Sequence, residues 1–130
     1  MNKLNATLRT LLTASCLLAA APFATAHSGS ATQTFEGAAS WYGPGFHGRQ
    51  TANGETYDMN SLTAAHPSLP FGTRVRVTNE ATDASVVVRI NDRGPYAKNR
   101  IIDLSKGAAD DIGLLTSGVG HVTVEVLASA

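Results

Sequence analysis

Four carboxylic acids in the middle of this chain, Glu55, Asp58, Asp92 and Asp103, are of the residue types from which general acid–base chemistry is built. Asp92 has the most informative setting. It ends a run containing Val86, Val87, Val88 and Ile90, and Gly94 and Pro95 follow it. β-Branched residues suit a buried strand, whereas Pro removes a ladder donor and Gly permits a tight turn. Asp92 is therefore expected on a strand-to-loop edge, where a rigid scaffold presents a group to solvent. Arg89 and Arg93 flank it, and a guanidinium touching Asp92 would favour its charged form. The competing reading pairs Asp92 with Arg93 simply to fix the Gly94-Pro95 turn. Glu55 follows the Asn53-Gly54 turn and is itself a poor turn residue, so turn formation does not explain it. Asp58 is explained by turn formation alone, and Asp103 by bonding to backbone donors at the start of a short helix after Ser105.

Two carboxyl groups facing one cleft are what cleavage of a glycosidic bond requires. One protonates the leaving oxygen; the other orients the sugar or carries charge in the oxocarbenium-like transition state. Glu55 and Asp92 can share this work only if the fold brings them together. His66 precedes Pro67, which biases it toward extended backbone and leaves its ring free to bond across a site, although lone histidines are usually structural. Trp41, Tyr42, Phe46, Tyr57 and Tyr96 lie near loops, where some could stack on sugar rings and others fill the core. No His-x-x-x-His spacing or cysteine cluster points to zinc, and no cofactor is expected. No Gly-x-Ser-x-Gly elbow is present.

The elements that must hold these residues read mostly as strands. Residues 37–42, 62–65, 74–79, 85–90, 101–104 and 121–127 carry alternating or β-branched patterns. Ser105 is placed to cap a short helix over residues 106–112, with Gly113 at its end. Many short strands joined by Gly-, Pro- and Asn-rich turns predict a mainly β fold, a small closed or nearly closed barrel. Residues 1–26 have the basic start, short apolar run and Ala24-Thr25-Ala26 ending of a secretory signal peptide. Residues 27–34 read as a disordered lead-in and residues 35–128 as the folded unit. Cys16, the one cysteine, stands in a loose lipobox, but an ordinary apolar residue of the signal core is the simpler reading. Beyond residue 26, eight basic residues face ten acidic ones, a net charge of −2. That argues against nucleic acid as a partner and supplies no polybasic membrane anchor. The mature chain is expected to be an exported, periplasmic monomer without a transmembrane segment.

Together the segments 37–43, 46–49, 51–55, 62–66, 69–73, 88–95 and 100–105 resemble, in order and spacing, the catalytic domain of the rare lipoprotein A family. The resemblance covers nearly all of residues 35–127. It implies a six-stranded double-psi β-barrel with one or two short helices, related in fold to expansins. It implies lytic cleavage of peptidoglycan glycan strands, preferably stripped of peptide stems, between N-acetylmuramic acid and N-acetylglucosamine, leaving 1,6-anhydro ends. The family's active-site acids and histidine fall on Glu55, Asp92 and His66, with Asp92 the expected acid/base. Trp41, Tyr42, Asn53 and Arg93 join His66 as expected substrate-binding residues. The alternative is a non-catalytic, expansin-like module that binds peptidoglycan without cutting it.

Overall fold

The computed structural model describes residues 31–128. The expected signal peptide, Cys16 and the first half of the lead-in lie outside the described residues. The chain forms β1 (Ala31–Tyr42), a 3-10 turn (Pro44–Phe46), β2 (Thr63–Ala65), β3 (Arg74–Asn79), β4 (Ser85–Asp92), β5 (Arg100–Ser105), α1 (Lys106–Asp111) and β6 (Val119–Leu127). The strands close into a barrel in the order β1-β5-β2-β4-β3-β6. β1 runs parallel to β5 and β2 parallel to β4, and the remaining pairs are antiparallel.

The alternation seen in the sequence becomes the inside and outside of this barrel. Val75 and Val77 of β3, Val86, Val88 and Ile90 of β4, Ile102 and Leu104 of β5, and Val122 and Val124 of β6 are buried in one apolar core. α1 adds Ala108 and Ala109 to it, with Ile112 and Leu114 behind. Ser105 caps α1 as expected, accepting from Ala108 N at 3.2 Å, and its hydroxyl also donates to Ser61 O at 2.5 Å. The helix approaches the 58–61 turn closely. Gly107 N donates to Met59 O at 2.8 Å, and a Cβ on Gly107 would stand 2.9 Å from Asn60 O.

Two departures from the expected elements have the same cause. β1 begins at Ala31, inside the expected lead-in, because β6 offers it a pairing edge as far as Leu127. Backbone pairing satisfies donors and acceptors whatever the side chains, so the polar stretch at residues 31–34 joins the sheet. β4 likewise runs past Ile90 to Asp92, because β2 pairs with it to the end.

Candidate active site

The outer face of the barrel carries a row of four residues in register across four strands. Ser40 of β1 pairs with Asp103 of β5, Asp103 with Ala65 of β2, and Ala65 with Asp92 of β4. Residues in register on neighbouring strands share a face, at about 4.8 Å per strand, so the Asp92 and Asp103 Cα atoms stand about 10 Å apart with one alanine between. Ala65, Asp92 and Asp103 all line an open cleft of about 310 Å³.

A bulge puts Asp92 on that face. Ala64 pairs with Ile90 inside the barrel, yet the next residue, Ala65, pairs with Asp92, so Asn91 is the extra residue. Without it, Asp92 would share the inward direction of Ile90. Bulges re-aim side chains in this way beside functional sites. The carboxylate is then fixed at one oxygen. Asp92 Oδ1 accepts from Ala52 N at 2.9 Å and Arg93 N at 2.8 Å, while Oδ2 has no partner among the described residues. The expected carboxylate–guanidinium pair is not made. The Arg93 guanidinium lies 3.9 Å above the Phe71 ring and donates to His66 O at 3.2 Å. Arg93 and Arg49, the latter over Phe46, stand at the cleft's rim.

Asp103 differs from its expected place. It does not cap α1, a task that Ser105 performs. The inward residues of β5 are Ile102 and Leu104, which turns Asp103 outward into the cleft. Its Oδ1 accepts from Ser40 Oγ at 2.5 Å and lies 3.3 Å from Arg100 Nε. Strand period alone carried this signal, since Asp103 sits between two apolar residues on a strand.

Tyr42 and Trp41 divide by the same rule. Trp41 packs against the core, so the expected stacking surface is turned away from the cleft. Tyr42, two residues beyond Ser40, lines it. Its ring packs on Tyr57 at 4.5 Å and edge-on to Phe46 at 5.7 Å. Tyr57 Oη donates to Tyr42 O at 2.6 Å, locking the strand end. The Tyr42 hydroxyl is buried without a protein partner. Burial first, then interaction with Asp92, Tyr57 and Asp103, pushes its pKa up, so it stays a hydrogen-bond donor.

Glu55 is placed otherwise than a proton donor needs. Arg89 grips it as a fork, Nη1 to Oε2 at 2.7 Å and Nη2 to Oε1 at 2.9 Å, and Asn91 Nδ2 adds a bond at 3.1 Å. These bonds, Arg89's above all, hold its pKa down to about 2. Glu55 is not among the residues lining the cleft. It braces the loop that reaches Asp92. Gly54, at φ +96°, turns that loop back, and Asn53 Oδ1 accepts from Thr51 Oγ1 at 2.7 Å and Glu55 N at 3.1 Å. Asn53 thus builds the loop whose Ala52 N–H holds Asp92.

His66 is not free to reach across the site. Its Nδ1 accepts from Ser68 N at 3.1 Å and Leu69 N at 3.0 Å, which leaves the proton on Nε2. Burial, then Arg93, lowers its pKa. His66 shapes the cleft through its backbone: its N–H donates to Asp92 O at 3.2 Å and its carbonyl receives Arg93. Asp58 is a turn residue, accepting from Asn60 N and Ser61 Oγ. Among the described residues, the one grouping of ligand-type atoms is Glu36, Glu80 and His121, all exposed and within 4.8 Å of one another. His121 Nε2 lies 3.0 Å from Glu80 Oε2, an exposed polar contact on the surface.

The family model described as lytic transglycolase, a DPBB_1 domain, matches residues 34–124. A protein of Synechocystis sp. named "Probable endolytic peptidoglycan transglycosylase RlpA" is 65% identical over 91 residues, which cover 70% of this chain and 28% of that protein. "Endolytic peptidoglycan transglycosylase RlpA" of Campylobacter jejuni is 58% identical over 95 residues, covering 73% and 34%. The chain spans about a third of the length of these relatives. Among solved structures, the Streptomyces papain inhibitor superposes with a TM-score of 0.61 at 23% identity, over 78% of this chain and 100% of the other. An expansin of Clavibacter michiganensis gives 0.61 at 20% identity, over 75% and 52%. At those identities the likeness concerns the barrel alone.

Proposed function

Because the chain belongs to the rare lipoprotein A family of double-psi β-barrel lytic transglycosylases, we propose that it cuts peptidoglycan glycan strands outside the cytoplasm, between N-acetylmuramic acid and N-acetylglucosamine, with Asp92 as the acid. The observation that carries this reading is the setting of Asp92. One carboxyl oxygen is anchored by two backbone N–H groups and the other is open to the cleft. An acid so held cannot rotate away from its substrate.

Cleavage begins when Asp92 gives its proton to the oxygen bridging the two sugars. The 6-hydroxyl of the muramic sugar then attacks its own anomeric carbon, closing the 1,6-anhydro ring as a carboxylate of the cleft takes its proton. The nucleophile belongs to the substrate, so the protein has no water to activate. Glu55, held ionised by Arg89, has no proton to give near neutral pH and acts as a positioning residue through the Asn53-Gly54 loop. Arg93 and His66 hold the strand-to-turn corner beside Asp92, and the Tyr42 ring forms part of the cleft wall. Among the described residues no helix is long and apolar enough to cross a membrane. We place the protein in the periplasm as a monomer, acting on strands without peptide stems.

The test is digestion of peptide-stripped glycan with mass spectrometry of the products. The wild type should release fragments ending in 1,6-anhydromuramic acid and Asp92→Asn should release none. Binding to sacculi with no release by the wild type would instead make the barrel a glycan-binding module.

A further inference from the structure

We propose that Asp103 is a second catalytic carboxylate, facing Asp92 across the cleft and receiving the proton of the attacking 6-hydroxyl. This rests on the transglycosylase reading above and names a residue that reading does not use.

Three observations carry it. The register Asp92–Ala65–Asp103 puts both acids on one face with only a methyl side chain between them. At a Cα separation of about 10 Å the two carboxyl groups flank a sugar lying in the cleft. Second, the two acids are mounted alike. In each, Oδ1 is anchored, by Ala52 N and Arg93 N for Asp92 and by Ser40 Oγ for Asp103, with the Arg100 guanidinium 3.3 Å away, and Oδ2 has no partner among the described residues. A carboxylate serving only the Arg100 pair would not need its own hydroxyl anchor on a neighbouring strand. Third, the Tyr42 hydroxyl, near enough to both acids to feel their charge, is buried without a partner. Both acids thus lie beside the same strand end of the cleft wall.

The step balances. The proton on Asp92 passes to the bridging oxygen as the C1–O bond breaks. The 6-oxygen forms the new bond to C1 and its proton passes to Asp103. Solvent then returns that proton to Asp92, so both groups end as they began and no water is consumed.

The experiment measures kcat and KM on peptide-stripped glycan for the wild type, Asp92→Asn and Asp103→Asn. Asp103→Asn keeps an acceptor for Ser40 but loses the charge. Its kcat should fall by about 100-fold or more, the range of a lost general base, with KM within about threefold of wild type. A kcat within about threefold of wild type while Asp92→Asn is inactive would overturn the assignment and leave the transglycosylase reading standing. Loss expressed wholly in KM would make Asp103 a binding residue and overturn it too. A wild type that releases no anhydro ends would sink both. Should Asp103→Asn melt early, Ser40→Ala decides the matter. Removing the hydroxyl that fixes the carboxylate should lower kcat by about tenfold or more with KM within about threefold of wild type. An unchanged kcat refutes a proton-transfer role.

Discussion

Replacing Glu55 with Gln separates bracing from proton donation. Taken at face value, a fall in pKa from 4.5 to about 2 is worth about 3.4 kcal/mol of native-state preference for the ionised form. The pair is not dry, since the Arg89 and Glu55 side chains are 42% and 40% exposed. Exposed ion pairs are screened and typically yield at most ~1 kcal/mol. The bidentate fork and the extra Asn91 bond put this pair at the top of that range, so Glu55→Gln should cost about 1–1.5 kcal/mol at pH 7. For a domain of this size that lowers Tm by about 5–8 °C. The folded-state pKa lies below the unfolded one, so this stability is complete above pH 4.5 and drains away as pH falls toward 2. Glu55→Gln does not titrate there. The gap between wild type and variant in urea unfolding should therefore be full at pH 7 and about half gone by pH 3. A gap that is absent at pH 7, or unchanged at pH 3, refutes the account of the fork. In activity, the pH limb set by the proton donor should stay where it is; if Glu55→Gln abolishes that limb, Glu55 is the donor.

Tyr42→Phe keeps the ring packing and removes a buried, unpartnered hydroxyl. Its Tm should hold or rise, with kcat within about threefold of wild type because that hydroxyl is closed off from the cleft; a drop in Tm would contradict this. His66 should remain neutral with its proton on Nε2 and titrate below 6.5, so it withdraws stability as pH falls from 6.5 through its lower folded value. Nitrogen chemical shifts across a pH series check this, and protonation at or above 6.5 would refute it. Gly107→Ala gains about 1 kcal/mol of helix propensity but forces a methyl to 2.9 Å from Asn60 O, an overlap costing about 1–3 kcal/mol. Thermal melting should show a net loss, and a gain would mean the 58–61 turn yields.

Much of this arrangement was legible from residue order. β3 spans the residues that its alternation marks, and Ser105 caps α1 as its position before Lys106 suggests. These features are local, and local chemistry decides them. The site was legible only in part, because it depends on register. Asp92 stands out through the strand and turn around it, but its outward aim comes from the bulge at Asn91, which only pairing with β2 defines. Asp103 reads as a helix-start residue because Ala65, the partner that fixes its outward face, lies far off in sequence. Nothing near Glu55 in the sequence explains it, because its partner, Arg89, lies 34 residues away. Trp41 and Tyr42 are adjacent, so chemistry alone did not separate them; the inward setting of Ala39 and outward setting of Ser40 did.

Ala65 is the spacer that holds the cleft open, and it is buried at the foot of the gap. The width between the flanking carboxylates is thus a property of woven backbone, set by interstrand hydrogen bonds rather than by any surface segment. The lengths and side chains of the rim can drift without altering the reach across the middle. A valine or leucine at this one position would act as a wedge between the strands, narrowing the passage.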